Sequence, residues 1–350
     1  MVFTELTDRE KSVLRYVIHQ FILTANPVGS RNITKRYNLG FSPATIRNIM
    51  ADLEDYGFLN HPHISAGRIP TDNGYRFYVD SLMDPPKLKK SEKKQIDLKI
   101  ERTITETDDL LRLTSMLLSG LTNQLACVTY PKFDNAILEK IQLVSLSSKR
   151  ILVVLSLKSG LVKTITLEVS TNVTLQNLPV IQSILNQRLS GLRFSEIKKT
   201  FKERIEDVYN SKYKPIIRLF LESAEKIFED IKVSEKSIIT GTKNILSQPE
   251  FENHEELQGI IELIEDKDVI VHILQENNNN NKENLKIVIG KENNNSKLEN
   301  FSMIKKEYKL GDASGVLGIV GPKRMHYAKS IAVIVYLAET LSHALKNKKS

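Results

Sequence analysis

Ser42-Pro43-Ala44-Thr45-Ile46-Arg47-Asn48-Ile49-Met50-Ala51-Asp52-Leu53 opens with a hydroxyl able to cap a helix's unpaired first-turn amides. Proline follows at the one helical position where a missing N–H costs nothing. Ile46, Ile49, Met50 and Leu53 then recur at helical spacing, so the segment predicts a helix with one buried face. Its other face carries Ala44, Arg47, Asn48 and Ala51. Arg and Asn aimed away from a core are suited to paired hydrogen bonds with guanine and adenine, each good pair giving roughly 1 to 3 kcal/mol of discrimination.

Upstream lie two further helices. Thr7-Asp8-Arg9-Glu10 has capping-box spacing, and Val13, Leu14, Val17, Ile18, Phe21 and Ile22 continue with helical period. Asn26-Pro27-Val28-Gly29-Ser30 breaks that helix; Ser30 is positioned to cap a short second one burying Ile33 and Tyr37, and Gly40 is free to turn left-handed after it. A short helix, a tight turn and a second helix with polar groups pointing outward is the layout that enters a major groove. From Lys11 to Ala51 there is no Asp or Glu, while Lys11, Arg15, Arg31, Lys35, Arg36 and Arg47 are cationic. Acids return at Asp52, Glu54 and Asp55, leaving residues 1–84 close to neutral, so one face is basic, as phosphate docking requires.

Downstream, Phe58-Leu59-Asn60-His61-Pro62 and Arg68-Ile69-Pro70 read as two short strands around Ser65-Ala66-Gly67, a β-hairpin wing. Arg68 sits where a wing meets the DNA backbone or minor groove; the alternative is a structural salt bridge. His61 and His63 lack a third ligand at metal-site spacing and read as part of the wing.

Met83-Asp84-Pro85-Pro86, followed by Lys87, Lys89, Lys90, Lys93 and Lys94, reads as a hinge into a long helix continuing through Leu110, Leu113, Met116, Leu117 and Leu121 and ending before Pro131. On that reading Cys127 lies in an apolar helix end as a core residue. Residues 138–170 switch to strand patterns, Ile141–Leu146, Ile151–Leu155 and Leu161–Val169, with turns at Ser147-Ser148-Lys149-Arg150 and Ser159-Gly160: a three-strand meander. Helices follow from about Leu178 to Val208; strands return at Ile287–Ile289 and Val316–Val320 before a closing helix from about Met325 to Leu345. Asn277–Asn281 is a polar loop. Gly311, Gly315, Gly318 and Gly321 lack the Gly-Lys-Ser/Thr ending of a phosphate loop and suit tight strand packing instead.

At 350 residues the chain has room for roughly two or three domains. Its net charge of +8 and pI near 9.2 suit an anionic partner. No apolar run approaches the ~18 residues of a membrane span, the opening residues lack a secretory layout, and the single cysteine excludes an internal disulfide. A cytoplasmic protein is the natural reading. No nucleophile elbow, metal cluster or other catalytic constellation stands out, so no enzyme activity, cofactor or metal is expected.

Ala44–Glu54 and Pro62–Thr71 resemble the HrcA family of heat-inducible transcription repressors, and so do Gly74-Tyr75-Arg76-Phe77-Tyr78-Val79-Asp80 and Gly318-Ile319-Val320-Gly321-Pro322-Lys323-Arg324-Met325. The resemblance implies a multidomain α+β protein: a winged helix-turn-helix over 1–84, a GAF-like α/β domain in two pieces over 85–134 and 211–350, and an inserted α+β dimerisation domain over 135–210. It implies a homodimer on an inverted-repeat operator, CIRCE, ahead of chaperone operons, released by heat and maintained by the GroEL chaperonin. On the combined reading Arg31, Ser42, Ala44, Thr45, Arg47, Asn48 and Arg68 contact DNA. Two rivals stand beside it: a winged-helix regulator sensing a small molecule in the GAF-like part, and a nucleic-acid-processing enzyme that uses the winged helix for targeting.

Overall fold

The computed structural model describes residues 5–62, 67–102, 107–133, 135–158, 160, 162–169, 177–209, 213–228, 237–275, 285–293, 295–311 and 313–347. The chain divides into two compact units. The first comprises Met1–Val128, Ile238–Lys306 and Leu317–Leu341; the second comprises Thr129–Ser237, Glu307–Val316 and Ser342–Ser350.

The first unit begins with α1 (Asp8–Thr24), whose Thr7–Glu10 capping box is formed in both directions. Val13, Leu14, Val17, Ile18 and Ile22 are buried on it, as their spacing requires. Helix α2 (Ser30–Arg36) departs from the sequence reading, because its cap position is Gly29 and Ser30 is its first, buried residue. Tyr37 is only half-buried: it ends α2, stacks on Tyr16 at 4.1 Å and lies with its hydroxyl 2.8 Å from His19 Nδ1. Helix α3 (Pro43–Asp55) starts as expected, with Ser42 Oγ accepting from the Thr45 amide at 3.1 Å.

Strands β1 (Leu59–Asn60) and β2 (Ile69–Pro70) pair antiparallel as the wing; its tip, including His63 and Ser65, lies outside the described residues. Thr71 then caps α4 (Asp72–Phe77), which passes into a π-helical turn at Tyr78–Leu82. Gly74 lets α4 pack on the wing, since a Cβ there would lie 2.2 Å from the Phe58 carbonyl oxygen.

Beyond the prolines run α5 (Lys90–Arg102) and α6 (Thr107–Thr122), and then β3 (Leu125–Thr129), all five of whose residues are buried. Cys127 therefore belongs to an interior strand, not to a helix end. A short, fully buried apolar run carries no alternation and cannot be distinguished from the helix it follows by periodicity; the backbone turns at Asn123, where φ is 57°.

The second unit contains the meander: β4 (Leu138–Ser147), β5 (Arg150–Leu157) and β6 (Val162–Glu168) in that order, antiparallel throughout. Helices α7 (Leu178–Leu189), α8 (Phe194–Tyr209), α9 (Lys214–Glu222) and α10 (Ala224–Phe228) follow. One face of the sheet, with Ile141, Ile151, Val153, Leu155, Ile165 and Leu167, shares a core with Ile181, Leu185, Phe194, Phe201, Phe220 and Phe228. That core runs continuously to Phe228.

The chain then forms β7 (Ser237–Thr240), α11 (Thr242–Leu246), α12 (His254–Glu265), α13 (Lys267–Gln275), β8 (Leu285–Ile289), β9 (Phe301–Leu310), β10 (Ala313–Pro322) and α14 (Tyr327–Asn347). The sheet order is β7-β3-β10-β9-β8. The asparagine run at 277–281 lies outside the described residues. Three of the four glycines serve close packing on β10. A Cβ would lie 2.5 Å from the Tyr308 ring at Gly315, 2.3 Å from Leu274 at Gly318 and 1.8 Å from Gln124 at Gly321. Between Tyr327 and Lys346, α14 reaches the length and apolarity of a membrane span, where the sequence reading found no apolar run approaching that length; Val333, Ile334, Leu337 and Leu341 on it are core residues.

Candidate nucleic-acid interface

Burying Ile46, Ile49, Met50 and Leu53 fixes how α3 is rolled, and helical spacing then aims the remaining positions outward. Ala44, Thr45, Arg47 and Asn48 are exposed on it, with Ser42 exposed at its start. Ser42 is occupied locally: its hydroxyl caps the helix and also lies 2.9 Å from Thr45 Oγ1. Arg31 is exposed on the neighbouring α2. Six of the seven expected DNA contacts thus belong to the helix pair and its turn.

The other cations of the acid-free stretch differ in what holds them. Arg15 is committed to Asp84 at 2.6 Å, and Arg36 donates to Gln20 Oε1 at 3.1 Å. Lys35 and Arg47 are exposed, and among the described residues neither side chain has an ion-pair partner. A lone cation on such a surface is solvated cheaply and is available to phosphate or a base edge.

Arg68 is placed differently. Its backbone bridges to Val28, with both amide–carbonyl bonds at 2.9 Å, which ties the wing's second strand to the loop between α1 and α2. Gly67 permits that approach, because a Cβ would lie 2.5 Å from the Val28 carbonyl carbon. The guanidinium reaches back to α3, where Glu54 Oε2 accepts from Nη2 at 2.7 Å. His61 Nδ1 engages the other oxygen of the same carboxylate. The Arg68 guanidinium thus forms a salt bridge to α3, and His61 helps brace the wing. Among the described residues no cluster of three metal-binding side chains occurs.

Sequence reasoning missed α4 and the residues on it. Thr71 followed by Asp72, a capping residue before a first-turn acid, is the signal that could have found it; in the structure the Thr71 hydroxyl accepts from the Gly74 amide at 3.1 Å. From this helix Asp72 and Arg76 reach residues that follow β8: Arg76 donates to both Glu292 oxygens at 2.8 and 2.5 Å, and Asp72 accepts from the Lys291 amide at 3.1 Å.

Residues 108–331 match the family model described as the HrcA protein C terminal domain. The chain is 38% identical over 353 residues to the heat-inducible transcription repressor HrcA of Chlorobium phaeobacteroides strain BS1, covering 99% of this chain and 100% of that one. It is 39% identical over 348 residues to the repressor of the same name from Chlorobium chlorochromatii, covering 99% of both. A solved structure described as a hypothetical protein at 2.2 Å resolution matches with a TM-score of 0.60 at 25% identity, over 98% of this chain and all of that one. The chain belongs to the HrcA family of heat-inducible transcription repressors.

Proposed function

We propose that this protein is a cytoplasmic homodimeric repressor that reads an inverted-repeat operator of the CIRCE type ahead of chaperone operons, leaves it on heating, and is returned to its active state by GroEL. The observation that carries the reading is the outward face of α3, where Arg47 and Asn48 stand exposed behind a capped Ser-Pro start. Arg47, Asn48, Ala44 and Thr45 supply base-edge contacts; Ser42 and Arg31 lie where phosphates flank the groove. Arg68, which braces the wing through Glu54, also meets the DNA backbone or minor groove from the wing. The protein works by binding, without catalysis or cofactor.

Dimerisation is assigned to the insertion. In this reading the winged helix spans 1–84, the GAF-like pieces 85–134 and 211–350, and the insertion 135–210, with its core extended to Phe228. The face of the meander turned away from that core brings together Val144 on β4, Leu152 and Val154 on β5, and Val162, Thr164 and Thr166 on β6, in register across the strands. Val144, Leu146 and Val162 are 45%, 51% and 59% exposed, an apolar patch of the kind that self-associates, edged on the same face by the exposed Lys140, Arg150 and Glu168. Pairing through the β4 edge is disfavoured, because α7 already occupies it. Asn186 accepts from the Ile141 amide at 2.7 Å and donates to its carbonyl at 2.8 Å, and Gln182 accepts from the Leu143 amide at 2.8 Å. A two-fold contact through the open face imposes its symmetry on the DNA, hence a palindrome.

The test is a titration, at several salt concentrations, against an inverted-repeat chaperone operator and a scrambled duplex of equal length. Preference for the palindrome at physiological salt supports the reading. Equal, steeply salt-dependent binding to both, unrestored by chaperonin, overturns it.

A further inference from the structure

Between Leu82 and Lys90 the chain has no helix or strand and includes Pro85 and Pro86. This covalent connection alone would leave the winged helix free to pivot. Two sets of side-chain contacts inside the first unit oppose that.

One set is on α4. Asp72 and Arg76 are one helical turn apart and so share a face. Arg76 uses its whole guanidinium: Nε and Nη2 span the two oxygens of Glu292, Nη2 also donates to the Ile287 carbonyl at 2.9 Å, and Nη1 donates to Asp80 at 3.2 Å. A bidentate arginine–carboxylate pair fixes direction as well as distance. Beside it, Asp72 accepts from the Lys291 amide and pairs with Lys323 Nζ at 2.8 Å. Gly290 makes room. Its φ is +55°, and a Cβ there would lie 2.1 Å from Asp72 Oδ2, so this approach needs glycine on both counts.

The other set is on α1. Arg324 donates from Nη1 to the Ile22 carbonyl at 2.6 Å, and its remaining nitrogens grip Glu250, Nη2 at 2.9 Å from Oε2. Between the two sets Tyr75 is 2% exposed, with its ring 6.0 Å from that of Tyr327.

We propose that Asp72, Arg76 and Arg324 are positioning residues that clamp the winged helix at one attitude on the sheet-bearing part of the first unit, and that this clamp allows both winged helices of a dimer to engage an inverted repeat together. The inference rests on the dimeric-repressor reading. Once one half-site is bound, binding of the second depends on the effective concentration of the other winged helix at the right place and angle. A clamped module is delivered there; a pivoting one spreads its orientations and loses that advantage. Contacts within a single half-site are indifferent to the clamp.

The experiment uses the full-length protein and the variants Arg76→Ala, Arg76→Lys and Arg324→Ala, titrated against three duplexes. These are an inverted repeat, a single half-site, and the repeat with its spacer lengthened by about half a helical turn, roughly five base pairs. The alanine variants should keep wild-type half-site affinity, lose about tenfold or more on the inverted repeat, and show a smaller penalty for the altered spacer. Arg76→Lys, which keeps the charge but cannot span both Glu292 oxygens, should fall between. Inverted-repeat affinity that stays unchanged or rises in the alanine variants overturns the inference alone. So does parallel loss of half-site binding, which would make these residues supports of the winged helix itself. A wild-type protein with no preference for the inverted repeat overturns the dimeric reading and this inference with it.

Discussion

Glu54, in the last turn of α3, holds the guanidinium of Arg68 on the wing at 2.7 Å. The carboxylate is shared with His61, and the Arg68 and Glu54 side chains are only 23% and 20% exposed. Removing Glu54 leaves a partly shielded cation without its partner. Glu54→Ala should lower stability by about 1.5–3 kcal/mol, the range for a hydrogen bond to a charged group, with Glu54→Gln losing less. Thermal melts of the three proteins check this; identical melting temperatures would mean that the wing is held by its backbone bridge to Val28 alone.

The extent to which this arrangement was legible in the sequence varies with the physics of each element. The capping box at Thr7, the Ser42-Pro43 start and the meander carry local chemistry, and each lies where its residues indicate. Ser30 did not cap α2 because Gly29 supplies the extended residue before that helix while Ser30 is buried in its first turn. β3 was hidden because burial on every side erases alternation. β9 carries Lys305, Lys306, Glu307 and Lys309 within its ten residues, which masks its apolar pattern; Lys305 is nonetheless buried, with Nζ donating to the Ile273 and Leu274 carbonyls. In the candidate site the exposed face of α3 followed from periodicity. The engagement of Arg68 by Glu54, and of Arg76 by Glu292, joins positions 14 and 216 residues apart, and no local pattern encodes such pairs.

His326, at the start of α14, keeps part of its ring at the surface, yet burial of the remainder, followed by the nearby Arg324, His19 and Lys329, holds its pKa below the usual 6.5. The folded protein thus binds this proton less well than the unfolded chain. Stability from this group is present above pH 6.5 and is lost as the pH falls through the depressed folded value. His326→Gln should show a smaller drop in melting temperature between pH 7.5 and 5.5 than the wild type. An equal drop would assign the acid sensitivity to other groups.

Cys127 is 1% exposed in the interior strand β3, and burial pushes its thiol up to about 12. A raised folded pKa means that stability from this group is complete below the ordinary thiol range and declines as pH rises from there towards 12. The native thiol should also resist a disulfide reagent at pH 8 and react only as fast as the protein opens. The labelling rate should therefore climb steeply on approaching the melting temperature. Immediate labelling at low temperature would contradict the burial of this strand.

The claim that α3 reads DNA is tested most directly by comparing wild type with Arg47→Ala on the inverted-repeat operator and on a scrambled duplex at physiological salt. Arg47 is exposed opposite the buried face of α3, so its removal should leave melting temperature and oligomeric mass unchanged. Operator affinity should fall by about 1 to 3 kcal/mol per half-site, with a much smaller loss on the scrambled duplex. Unchanged operator affinity, or an equal loss on both duplexes, would contradict the assignment of this face to base reading.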